Sequence, residues 1–164
     1  MRHTSSPNIR PDKATADPEN VKLERQLDQL GRDTARAMGE AVKKLGIPVG
    51  DVLSSPTYRA LQTVRLASLG QAQAFAELGE GDGNMGPVRN AAAAWLRNKV
   101  SEVPRAGTDT VIVTHMPNIV AAFGSAANAV ADGETMVFRP DGKGNAELVA
   151  RIKIEAWPEL AARE

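Results

Sequence analysis

A chain of 164 residues is long enough for one domain with a real core, and its 20 Lys plus Arg are matched by 20 Asp plus Glu. That balance leaves no electrostatic footprint for nucleic acid or an anionic membrane surface. Zero cysteines exclude a disulfide framework, a Cys-ligated zinc site and a thiol nucleophile, and no run of apolar residues is long enough to span a bilayer.

The chain opens MRHTSS, and Arg2-His3 reads either as a frayed terminus or as half of a site at a strand end. Residues 5–20, SSPNIRPDKATADPEN, hold three prolines and little that is apolar, which predicts a long loop of the kind that serves as a lid or binding segment. Leu27, Leu30, Thr34, Met38, Ala41 and Leu45 then recur at helical spacing. With Gly46 and Pro48 as stop signals, they predict a helix over about 29–45. VGDVLSSP predicts a short strand running into a polar turn, and TYRALQTVRLASLG a helix with Tyr58, Leu61, Val64 and Ser68 on one stripe. QAFAEL reads as a further strand before the glycine-rich GEGDGNMG.

Val88, Ala92, Trp95 and Val100 predict a helix over about 87–102. DTVIVTH is β-branched, uninterrupted and apolar, the pattern of a strand buried on both faces. PNIVAAFGSAANA reads as a further helix. TMVFRP and AELVARIKIEAW read as two strands joined by the turn DGKGN, hence a hairpin. Helices alternating with short strands imply one α/β domain over 1–164, a mainly parallel sheet covered on both faces. No signal peptide is visible, so the cytoplasm is the expected compartment of the chain as given.

GDGNMG, from Gly81 to Gly86, fits a dinucleotide fingerprint literally. The next strand, TVIVTH, ends in Thr114 and His115 with no acidic residue to hold a ribose, so nucleotide binding is not the favoured reading. Basic residues instead collect at strand ends, where open α/β sheets bind ligands. Arg59 follows the end of VGDVLSSP by one helical turn, and His115 ends TVIVTH. Arg2 and His3 would end a strand placed before them in the same way. Two His and two Arg at one sheet edge suit phosphoryl transfer. A neutral imidazole is a competent nucleophile near pH 7, and guanidinium groups grip phosphoryl oxygens in a fork. Taken singly, His115 also reads as a hydrogen-bonded structural histidine and Arg59 as a solvated helix residue. No His-x-x-x-His or nearby acidic set suggests a metal site, and none is expected, nor is a cofactor.

These residues resemble the histidine phosphatase superfamily, the group that includes the cofactor-dependent phosphoglycerate mutases. The resemblance lies in Arg2-His3, in SSPTYRALQT from Ser54 to Thr63, in VIVTHMPNI, and in the tail GETMVFRPDGKGNAELVARI; order and spacing agree over nearly the whole chain. It implies a three-layer α/β/α sandwich and a metal-independent phosphomonoesterase. A phosphohistidine would form on His3, with Arg2, Arg59 and His115 around the phosphoryl group. The substrate would be a small phosphorylated molecule or a phosphoprotein.

The general acid implied by the resemblance falls in FAELGEGDGN, where Glu77 fits best by position and Glu80 and Asp82 are the alternatives. No glycine-tryptophan-Glu-Gly-like segment follows, which points to a small phosphatase rather than a mutase. The loop over 5–20 resembles that of bacterial members often exported to the periplasm, the compartment expected if a signal peptide stood upstream. The resemblance also implies a central strand ahead of Arg2-His3, so a gap or unpaired edge is expected beside DVLSS or TVIVTH. A non-catalytic phosphate-binding relative, disabled by the missing strand or a missing acid, is the alternative function.

Overall fold

Asp28 decides where the first helix begins. Its carboxylate accepts the Gly31 amide at 2.7 Å, capping α1 (Gln29–Lys44), and its second oxygen accepts the Ser5 hydroxyl at 2.7 Å. Such a cap contributes about 1 kcal/mol. Here it also ties the segment after His3 to the helix. Gly31 lets that segment approach, since a Cβ there would stand 2.1 Å from the Ser5 carbonyl oxygen.

The computed structural model describes residues 1–80 and 86–163. After α1 come β1 (Val49–Ser54), α2 (Tyr58–Leu66), β2 (Ala72–Ala74), α3 (Gly86–Ser101), β3 (Asp109–Val113) and α4 (Met116–Phe123). The hairpin β4 (Thr135–Pro140) and β5 (Ala146–Ile152) follows, then α5 (Ala156–Ala161). Strands β2-β1-β3 form a parallel sheet, with Leu53 paired to Gln73 on one side and Ile112 on the other; β4 and β5 pair antiparallel. Alternation along β1 sends Val52 to one face and Leu53 to the other. Val52 packs with Met38, Val64 and Trp157 under α1, α2 and α5, while Leu53 packs with Leu78, Leu96 and Ala122 under α3 and α4. This is the three-layer α/β/α arrangement expected.

Several expectations need correction. QAFAEL is not one strand: β2 stops at Ala74, and a 3₁₀ turn over Ala76–Leu78 buries Leu78 completely beneath α3. The helix expected over PNIVAAFGSAANA breaks at Gly124, whose φ of +55° cannot continue an α-helix, and a 3₁₀ turn completes it. The end of AELVARIKIEAW leaves the hairpin and coils into α5, because Trp157 is drawn into the core against α1. The GDGNMG segment lies outside the described residues apart from Gly86.

β3 is only partly buried through Thr110–Ile112, where burial on both faces was expected. Among the described residues, β1 covers one edge of β3, and the other edge is met at its end alone. There Arg2 bridges Thr114 in parallel, the Met1 amine donates to the Ile112 carbonyl at 2.6 Å, and the Thr114 and His3 amides donate to the Met1 and Thr114 carbonyls. On its other side the same segment reaches the start of β4, through Arg2 N–H to Glu134 O and Gly133 N–H to His3 O. Arg2-His3 is therefore held between two strands and is no frayed end.

Candidate active site

Each candidate arrives at a junction where backbone geometry, not a flexible loop, aims it. His3 follows the short ladder at Thr114. Arg59 is in the first turn of α2, beyond the Ser54-Ser55 end of β1, and His115 is the residue between β3 and α4. All three are buried, at 3%, 4% and 0% exposure.

Their contacts fix the protonation pattern. His3 Nδ1 lies 2.8 Å from the Thr4 carbonyl oxygen, which can only accept, so Nδ1 carries the proton and Nε2 keeps its lone pair. Arg59 Nε donates to that Nε2 at 3.2 Å. Arg59 Nη2 stands 3.2 Å from His115 Nδ1, which must then accept and leaves Nε2–H to donate to the Ser55 hydroxyl at 2.8 Å. One guanidinium thus spans both imidazoles, whose centroids are 5.1 Å apart in an edge-on arrangement. Burial first, then the charge of Arg59, lowers His3 to about 4 and His115 to about 2. Both rings are neutral near pH 7.

Glu80 completes the group. Its carboxylate pairs with Arg59 Nη2 at 2.5 Å and stands 3.4 Å from His115 Nδ1. Glu77 is exposed in the 3₁₀ turn and makes no hydrogen bond or ion pair to these residues among those described. Asp82 lies outside the described residues. Asn118, from the PN of THMPN, holds the acidic segment in place: its Nδ2 donates to the carbonyls of Leu78 and Gly79 at 3.0 and 2.8 Å. Neither Asn118 nor Ser55 was singled out from sequence, although both belong to the quoted blocks.

Arg2 stands beside the cluster without touching its side chains. Its Nη1 donates to the Val130 carbonyl at 2.9 Å, and its Nη2 lies 2.6 Å from Asp132. Its buried Nε has no partner among the described residues.

No protein-family model matches the sequence, and no curated protein matches it. Solved structures do. The protein histidine phosphatase SixA, complexed with tungstate, matches over 94% of this chain and 94% of its own, at 22% identity and a TM-score of 0.66. YhfR of Bacillus stearothermophilus matches over 91% and 93%, at 16% identity and a TM-score of 0.63. The Rv3214 product of Mycobacterium tuberculosis matches over 91% and 93%, at 18% identity and a TM-score of 0.57. The fold is that of the histidine phosphatases.

Within the histidine phosphatase fold, the cluster also has a ligand set that sequence spacing did not reveal. His3, Glu80 and His115 bring one ligand atom each within 4.8 Å of one another. A cation there would have to displace Arg59, which already bonds to both rings and to Glu80. The donors present, a guanidinium fork and two imidazoles, suit an oxyanion better.

Proposed function

We propose that this chain is a phosphomonoester hydrolase that works through a phosphohistidine on His3. The observation that carries the reading is the single Arg59 guanidinium spanning His3 Nε2 and His115 Nδ1. It sets a fixed positive charge beside a neutral, tautomerically locked nucleophile. Arg59 can turn its N–H groups from the two rings to phosphoryl oxygens when a substrate enters. His3 Nε2 then attacks phosphorus, the P–O bond to the leaving group breaks, and charge spreading over the equatorial oxygens is met by Arg59 and His115. Water next attacks the phosphohistidine, releasing inorganic phosphate and restoring His3.

The unpartnered Nε of Arg2 is a further donor available to an oxyanion. Glu80, beside Arg59 and His115, is the acidic group placed to serve the leaving oxygen. The tungstate bound in the SixA structure is a tetrahedral oxyanion, and the charge and donors of this cluster suit the same shape. The substrate class is a phosphorylated small molecule or a phosphoprotein. Charge supplied by arginine and histidine makes the reaction independent of metal.

The deciding experiment is hydrolysis of an aryl phosphate in excess chelator, with acid quench to trap the acid-labile phosphoenzyme. Turnover and label on the wild-type chain, with both gone in His3→Ala, are expected. Phosphate binding without turnover would instead favour the non-catalytic reading, and activity abolished by chelator would favour a metal enzyme.

A further inference from the structure

The turn that leads into β4 grips the segment carrying Arg2 and His3. Glu134 closes that turn on itself: its Oε2 accepts the Ala131 amide at 2.8 Å, and its own amide donates to the Ala131 carbonyl at 3.2 Å. Glu134 Oε1 meets Arg151 Nε at 2.6 Å, and Arg151 Nη1 reaches back to the carbonyls of Ala126 and Asn128. Gly133 has a φ of +72°, and a Cβ there would stand 2.9 Å from the Ile154 side chain, so the position suits glycine alone. From this frame the Gly133 amide donates to the His3 carbonyl at 2.9 Å, and the Glu134 carbonyl accepts the Arg2 amide at 3.1 Å.

The same turn takes the Arg2 side chain. Val130 O accepts from Nη1 at 2.9 Å, and Asp132 Oδ1 lies 2.6 Å from Nη2, while Nε–H is buried without a partner among the described residues. Asp132 is committed to Arg2 in return: its Oδ1 is buried and has no other partner among the described residues. A guanidinium on a flexible stem loses much rotamer freedom when it is fixed. A partner that fixes it before a ligand arrives reduces what binding must supply. Both charges also reach the nucleophile. Burial dominates the lowering of His3 to about 4, Arg2 adds to it, and Asp132 opposes it.

We infer that Asp132 is a positioning residue, which holds the Arg2 guanidinium so that its free Nε–H is presented to a bound oxyanion. Asp132 acts through Arg2 and touches no ligand itself. The inference rests on the phosphatase reading only in taking Arg2 as an oxyanion donor, and oxyanion binding tests it without turnover. Two effects oppose each other when Asp132 is removed. Loss of a carboxylate relieves repulsion of an incoming anion, but it also releases Arg2. At a side chain 39% exposed, water weakens the repulsion, whereas the buried Oδ1 contact that fixes Arg2 has no substitute among the described residues. Loss of position therefore prevails.

The test measures tungstate affinity by calorimetry, and turnover of an aryl phosphate, on the full chain, Asp132→Ala, Arg2→Met and the double variant. Arg2→Met is expected to weaken tungstate binding by about ten-fold or more, the loss of a hydrogen bond to a charged group. Asp132→Ala should weaken it by about three- to ten-fold, and in the Arg2→Met background it should cost nothing further, because its route to the ligand is gone. A loss that persists in that background overturns the inference, since Asp132 would then act on the fold at large. Tungstate bound by Asp132→Ala as tightly as by the full chain, or more tightly, overturns it too; a tighter complex would mean that Asp132 competes with the oxyanion for Arg2. Should Asp132→Ala fail to fold, Asp132→Ser is carried through the same cycle and judged by the same results. If the full chain binds no tungstate, the inference falls with the oxyanion site. Tungstate binding that shows the expected coupling, in a chain without turnover, would strike the phosphatase reading and leave this inference standing.

Discussion

Arg59 Nε donates to His3 Nε2 at 3.2 Å, so the atom proposed to attack phosphorus is the atom that Arg59 caps in the free protein. The same guanidinium reaches His115 and Glu80 through Nη2. Only a planar, forked cation can serve that many directions at once; an ammonium on the same stem offers a point charge. Arg59→Lys is therefore expected to lower kcat/KM on aryl phosphates by about a hundred-fold or more. Circular dichroism should show the fold retained. A variant within a few-fold of wild type would remove Arg59 from the proposed chemistry.

The two imidazoles make stability depend on pH in a definite direction. In the unfolded chain both titrate near 6.5, but folding lowers His3 to about 4 and His115 to about 2. The folded state thus binds fewer protons between these limits, and stability must fall as pH drops below 6.5. For His3 alone the full loss is on the order of 3 kcal/mol once pH lies below 4. Melting temperatures measured from pH 8 to 4 should decline, and His3→Asn should flatten the part below 6.5. The acid limb of kcat/KM attributable to the nucleophile should lie near 4, not 6.5. A stability maximum at pH 5 would contradict the burial of neutral rings.

What could be read from sequence was local. SSPTYRALQT and VIVTHMPNI each encode a strand end running into a helix start, and that junction alone orients Arg59 and His115. The apolar pattern of α1 was legible for the same reason. Glu80 was not legible as more than an alternative to Glu77, because its place depends on Leu78 sinking under α3 and on an amide forty residues later gripping the Leu78 carbonyl. Nor was α5: KIEAW continues a strand-like pattern, and only the space beneath α1 favours a helix that buries Trp157. Arg2 was placed in the right neighbourhood, but Asp132 and the Val130 carbonyl, which engage it, come from a turn that no motif marks.

The choice between Glu77 and Glu80 follows from leaving-group chemistry. An alkoxide needs a proton far more than a nitrophenolate does, so loss of a general acid slows alkyl esters selectively. Glu80→Gln should reduce turnover of an alkyl phosphate by about a hundred- to ten-thousand-fold and that of an aryl phosphate much less. Glu77→Gln, altering an exposed carboxylate without partners among the described residues, should leave both rates near wild type. Equal losses on both substrates in Glu80→Gln would mean that Glu80 orients Arg59 and protonates nothing.

Asn118 offers a separate check on the same acid. Its amide donates to the carbonyls of Leu78 and Gly79, and to the Thr114 hydroxyl at 3.0 Å, at a position only 8% exposed. Asn118→Ala leaves those buried carbonyls short of a donor, which should cost about 1–3 kcal/mol of stability. It also frees the turn that presents Glu80, one residue beyond Gly79. If Asn118 acts by holding that turn, its loss should slow alkyl phosphates more than aryl ones, in the pattern of Glu80→Gln though more weakly. In the double variant Asn118→Ala, Glu80→Gln the alkyl rate should fall little below that of Glu80→Gln alone, because both changes remove one function. Additive losses on the alkyl substrate would show instead that Asn118 supports the fold and has no part in placing the acid.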